Sequence, residues 1–234
     1  MPTTFMILQL KNNRLLTFYL LWAITVFIFS FGDGLNAEDV THVLILIIFG
    51  LSFIFFRRWF NSKSSYPKTL FVLLGLVLAA LVEGTYMISK PLHPSLLVTV
   101  GMPVGEIVKN YAIDVMLTTP AYILIFLTIL FFIRRFRYGA WGYTFVMALG
   151  QALGDGSGFL LANPGSLLFL PYIMINYHAM NLMPFLLFNN DIKRESERGD
   201  SKLKYILPII ALPLVYIVSG AFIFTIGSFF GLLE

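Results

Sequence analysis

Residues 110–163 read NYAIDVMLTTPAYILIFLTILFFIRRFRYGAWGYTFVMALGQALGDGSGFLLAN. Two long apolar runs meet at the basic turn Arg134-Arg135-Phe136-Arg137-Tyr138, and each run carries one acid. Asp114 lies 20 residues before Arg134, and Asp155 lies 20 residues after Arg135. If both runs are helices rising about 1.5 Å per residue, the two carboxylates return to one depth on neighbouring antiparallel helices. Charges inside a bilayer are costly, so two at matched depth mark a functional-site candidate. The hairpin thus predicts a membrane fold and a site within it.

The rest of the chain agrees with the membrane reading. Hydrophobic residues make up 58% of it and charged residues only 12%, against about 25% charged in soluble domains. The expected fold is all-α, a polytopic bundle of about seven transmembrane helices, with residues 1–234 forming a single transmembrane domain. The net charge is +4, but the basic residues sit in short loops between apolar runs and not on a recognition surface, which excludes nucleic acid as a partner. The chain has no cysteine, so disulfides, thiolate chemistry and cysteine metal sites are excluded. Lys11 and Arg14 precede the first apolar run as in a signal peptide, yet Ser30-Phe31-Gly32-Asp33-Gly34 does not read as a cleavage site. The run is expected to stay as a first helix.

Seven segments have the length of a span: 15–31, 40–56, 69–88, 111–133, 139–162, 166–188 and 204–232. Alternate loops divide the charge unequally. One set holds Lys11 and Arg14, then the groups 57–68, 134–137 and 193–204, together 14 of the 16 basic residues. The other set holds only Lys90 and Lys109. The positive-inside bias therefore predicts a cytoplasmic N-terminus and an outside C-terminus, in the cell membrane. On the outer side, Asp33, Glu38 and Asp39 join the first two spans, and the proline-rich stretch 89–110 joins the third and fourth. That stretch is either a surface loop or a re-entrant one, the latter requiring a satisfied backbone. No consistent internal repeat is present: Gly32-Asp33-Gly34 recurs as Gly154-Asp155-Gly156 at an offset of 122, while Phe55-Phe56-Arg57-Arg58 echoes Phe132-Ile133-Arg134-Arg135 at 77.

The polar residues of the spans supply the chemistry. Tyr111, Asp114 and Thr118 share a helical face by their spacing, with Asn110 just before them. Gln151 and Asp155 lie one turn apart, and Gly154, Gly156 and Gly158 around the acid permit close backbone approach. Two carboxyl groups brought together divide into an acid and a base, the arrangement needed to act on a water. The sixth span adds Tyr172, Asn176, Tyr177, His178 and Asn181. Glu83 near the end of the third span and Glu106 before the fourth would complete a polar cluster in the outer half. Asp114, Asp155, His178 and Tyr111 are the candidate catalytic residues; Glu83, Glu106, Asn110, Gln151, Tyr172, Asn176 and Asn181 are the candidate binding residues. Each also has a plain structural reading, as an interfacial group, a cap or a hydrogen bond between helices.

No cofactor is expected. Zinc or another metal would have to draw on His42, His93, His178, Asp114 and Asp155, which form no closely spaced ligand pair. Phosphate-binding glycine loops are absent, and residues 205–233 hold no lysine for a retinal Schiff base. Tyr111-Ala112-Ile113-Asp114, then Ala152-Leu153-Gly154-Asp155, then Ala211-Leu212-Pro213 resembles, in order, the signature of intramembrane aspartyl proteases. The pattern departs from that family because Tyr and Asp are not adjacent, Ala152 replaces the first glycine and Ile210 the leading proline. Residues 211–213 are also expected in the inner half of their span, far from Asp155. No family is assigned on this basis. Three functions fit the residues. The first is a membrane-embedded hydrolase or group-transfer enzyme acting on a lipidic or peptide substrate. The second is a proton- or ion-coupled transporter or channel. The third is a structural subunit of a larger membrane complex. The expected partners are membrane lipids and further subunits, in a homo- or hetero-oligomer.

Overall fold

A computed structural model of the chain describes residues 14–32, 34–59, 63–155, 163–192 and 201–232. Among the described residues there are seven α-helices and no strand: α1 (Arg14–Ser30), α2 (Ala37–Phe56), α3 (Pro67–Tyr86), α4 (Val104–Arg135), α5 (Ala140–Asp155), α6 (Leu170–Phe188) and α7 (Leu203–Phe229). Local chemistry explains where several of them begin. Asn36 caps α2, its side-chain oxygen accepting from the N–H groups of Glu38 (2.9 Å) and Asp39 (3.0 Å), and both acids suit the positive end of the helix. Pro67 opens α3, where its missing N–H costs nothing. Pro103 immediately precedes α4.

Helices α2, α3, α4 and α7 are long and apolar enough to cross a membrane. The first helix is apolar but has only 17 residues, and α5 has 16. Helix α6 has 19 residues and is diluted by Asn176, His178 and Asn181. It lies at the centre, buried on nearly every side, with α1, α2, α3 and α5 packed around it. Its polar groups therefore face protein and not lipid, the arrangement expected of polar residues at membrane depth. Helix α4 starts seven residues before the expected span, so Glu106 and Asn110 are helical. Its 32 residues give a rod of about 48 Å.

The outward faces are apolar. Ile47, Leu51, Ile54 and Phe55 on α2, and Ile210, Leu214, Ile217 and Val218 on α7, are exposed. So broad an apolar surface is rare on a soluble monomer and fits contact with lipid.

The helices sequential in the hairpin 110–163 do not form a principal packed pair. Helix α7 packs against both α4 and α5, and the ring α6–α3–α4–α7–α5 closes back on α6. Two glycines explain the insertion. A Cβ on Gly150 would lie 2.8 Å from the Pro208 carbonyl oxygen, and one on Gly154 would lie 2.9 Å from Pro213 Cα. Small residues four apart let backbones approach closely where no water drives association. This contact also corrects the expected separation in depth, because Pro213 lies directly against the residue preceding Asp155. Gly156 and Gly158 lie outside the described residues.

The end of the bundle that carries the basic loops is solid. Phe71, Phe126, Ile129, Ile133 and Met147 are fully buried there, and the Tyr143 and Phe185 rings stack at 3.9 Å. Phe126 occupies the space a side chain on Gly75 would need. Tyr138 OH donates to the Lys204 carbonyl (2.7 Å) and Ser64 N–H to Asp191 Oδ2 (2.9 Å), tying loops together at that end.

Candidate functional site

The opposite end of the ring encloses a cavity of about 800 Å³. The first turns of α2 contribute Glu38, Asp39 and His42; the end of α3 contributes Glu83 and Tyr86. Tyr122 comes from the middle of α4, and Asp155 from the last residue of α5. Tyr172, Asn176 and Tyr177 of α6 face Tyr216 of α7 across the remaining wall. Apolar side chains, among them Ile125, Ile173, Met180, Ile223 and Phe224, complete the lining.

Three of the four acids are each held by a tyrosine from another helix. Tyr172 OH donates to Asp39 Oδ1 (2.7 Å), Tyr177 OH to Asp155 Oδ2 (2.6 Å) and Tyr122 OH to Glu83 Oε1. Each hydroxyl donor fixes the orientation of the carboxyl group that accepts from it. Asp39 Oδ2 also takes the Asn36 N–H (3.1 Å). Asp155 has an accessible side chain that opens on the cavity. One turn earlier, buried Gln151 accepts from Tyr216 OH (3.3 Å), whose ring stands edge-on to Tyr177. The fourth acid, Glu38, forms an ion pair with Lys90 (2.8 Å) at the mouth.

His42 is built into the wall as a base. Its ring stacks on Tyr172 with centroids 3.7 Å apart. Its Nδ1 lies 2.8 Å from the Glu38 carbonyl oxygen. A carbonyl only accepts, so Nδ1 carries the proton and Nε2 presents a lone pair. That Nε2 is buried with no protein partner, as is Asn176 Oδ1, whose amide group donates instead to the Tyr86 hydroxyl.

The candidates read from the sequence separate into distinct places. Glu83, Asp155, Tyr172 and Asn176 come together on the cavity. Asp114 is fully buried behind the loop between α3 and α4; its Oδ1 accepts the Leu92 N–H (3.2 Å) and its Oδ2 has no partner. It does not line the cavity, although Thr118 one turn on does. Tyr111 OH donates to the Ala80 carbonyl (2.8 Å), and Asn110 Nδ2 to the Leu96 carbonyl (3.4 Å). These two and Asp114 anchor α4 to its neighbours, while Glu106 is exposed in the first turn. His178 Nε2 pairs with Tyr19 OH (2.6 Å), which binds α6 to α1 away from the cavity. Asn181 is buried near Tyr143, whose hydroxyl donates to the Asn181 carbonyl (3.4 Å).

Asp39, Tyr86, Tyr122 and Tyr216 are cavity residues that the sequence reading did not single out as site residues, while His42 figured only as a candidate metal ligand and Tyr177 only as a polar residue of its span. The available signal was weak: Asp39 and His42 share a face by their spacing of three, and the tyrosines are scattered over four apolar segments. Among the described residues no group of three or more His, Asp or Glu side chains could hold a metal ion. Chemically the cavity offers acids held by hydroxyls, one imidazole base and an apolar wall. No protein-family model, curated protein or solved structure matches this chain.

Proposed function

We propose that the protein is a membrane-embedded enzyme that performs acid–base chemistry on a membrane-borne substrate held in this cavity. The observation that carries the proposal is the blind end. Polar groups line one end of the ring, while Phe71, Phe126, Ile129 and Ile133 fill the other. A transporter needs a polar route through both halves; a reaction chamber needs only one opening.

In this reading α1, α5 and α6 cross the membrane with the four longer helices. The basic loops face the cytoplasm, and the cavity opens on the outer side. His42 Nε2 takes a proton from water or an acceptor hydroxyl. As that oxygen bonds to the substrate centre, the bond to the leaving group breaks. Whichever of Asp155 and Glu83 is protonated gives the leaving group its proton, and the proton held by His42 then returns to that carboxylate through water. Positioned acid and base groups contribute about 10²–10⁴-fold in rate. Membrane lipids are the source of substrate, reached through the lipid-facing walls or the outer mouth.

The test compares whole-membrane lipid profiles of cells producing the wild-type chain, Asp155→Asn or Glu83→Gln. Both variants keep an acceptor for their tyrosine. The expected result is a lipid species that changes with the wild type and falls at least tenfold with each variant. Identical profiles, with carboxylate-dependent proton uptake by proteoliposomes, would replace the enzyme with the transporter.

A further inference from the structure

We infer that the cavity takes an organic cation, the ammonium head of a membrane amphiphile, with its chain along the α4–α7 wall. This rests on reading the cavity as a substrate site and names the class of substrate.

The first observation is charge. Glu38, Asp39, Glu83 and Asp155 line the cavity, and Lys90 is the only Lys or Arg among the described lining residues. Lys90 is already paired with Glu38. Three acids therefore face the interior with only hydroxyl or backbone donors, and an anionic head would meet no cation there except the already paired Lys90.

The second observation is hydrogen-bonding sense. The hydroxyl protons of Tyr122, Tyr172 and Tyr177 are spent on the acids. His42 Nε2 and Asn176 Oδ1 are unpartnered, belong to side chains 2% and 5% exposed, and are both acceptors. The unspent protons of the wall are few, those of the Tyr86 and Ser219 hydroxyls, against these two acceptors and the remaining carboxylate lone pairs. An unpaired buried acceptor is expensive to leave unmade, and a primary ammonium supplies three donors at once. The rings of Tyr86, Tyr122, Tyr177 and Tyr216 add aromatic faces, which attract cations.

The third observation sets the rest of the ligand. Ile223 lines the cavity and also a groove of about 440 Å³ bounded by Pro120, Phe222 and Ile226 between α4 and α7. This apolar strip, which shares Ile223 with the polar chamber, suits an alkyl chain.

The experiment is calorimetric titration of the full-length chain in uncharged maltoside micelles with dodecylamine, dodecyltrimethylammonium and dodecyl sulfate. Saturable binding of the amine at least tenfold tighter than the sulfate is expected, with the quaternary ion weaker than the amine because it cannot donate. His42→Phe, which keeps the ring on Tyr172, should weaken the amine about tenfold. Asn176→Asp should tighten it several-fold, since the Tyr86 hydroxyl can donate to the new carboxylate. Equal affinity for the sulfate, equal affinity for the quaternary ion, displacement by millimolar Mg²⁺ or Zn²⁺, or indifference to both variants would each overturn the assignment. Amine binding with unchanged lipid profiles would leave the ligand class standing and remove the enzyme; acid-dependent lipid change without amine binding would do the reverse.

Discussion

The two ends of the helical ring use the same residue types for opposite purposes. At the basic-loop end, tyrosines and phenylalanines fill space: Tyr143 stacks on Phe185, and Phe126 fits over Gly75. At the cavity end, Tyr122, Tyr172 and Tyr177 turn their hydroxyls to carboxyl groups and leave room between them. A packed end resists deformation because its contacts are dense. The open end holds unpaired acceptors, His42 Nε2 and Asn176 Oδ1, beside a space that a ligand can enter. Stability should therefore reside in one end and function in the other.

The comparison is open to direct attack. The largest stability effect is expected from Phe126→Ala, which empties a fully buried site and should cost about 3–5 kcal/mol; reversible denaturation in mixed micelles measures it. A cost below about 1 kcal/mol would mean that the closed end is not the stabilising one. Asp155→Asn should show the opposite profile, with unfolding nearly unchanged and product formation reduced about a hundredfold, roughly 2.7 kcal/mol of barrier. Next in size is Gly150→Ala, whose Cβ meets a backbone oxygen at 2.8 Å. Overpacking should cost about 1–3 kcal/mol and disturb the cavity, because Gly154 and Asp155 follow one turn later on the same helix. Tyr138→Phe removes the bond to the Lys204 carbonyl and should cost about 0.5–1.5 kcal/mol with no effect on activity. Lys90→Ala breaks an ion pair whose side chains are 65% and 37% exposed; its effect on stability should be within about 1 kcal/mol. A larger loss would make the mouth part of the structural frame.

The behaviour of the two acids of the opening hairpin shows where sequence reasoning stops. Counting residues from the basic turn treats α4 and α5 as equal neighbours. Helix α4 extends back to Val104, well beyond Asp114, whereas α5 ends at Asp155 among the described residues, and α7 comes between them. Asp155 consequently opens on the cavity, and Asp114 holds the loop between α3 and α4 through Leu92. His178 is similar: its position on α6 was legible, but its pairing with Tyr19 of α1 spans 159 residues of sequence.

The sequence by itself determined that this chain is helical and apolar. A lipid-exposed backbone must satisfy its own hydrogen bonds, and long uncharged runs can do so only as helices. It also determined that polar residues are concentrated in certain spans, since each is visible singly against an apolar background. Tertiary structure alone decided which of them meet. Side-chain convergence depends on how each helix is rotated and which helix lies beside it. Here that choice follows from close approach at Gly150 and Gly154 against Pro208 and Pro213, a matching of shapes between segments more than fifty residues apart that no spacing within either segment encodes.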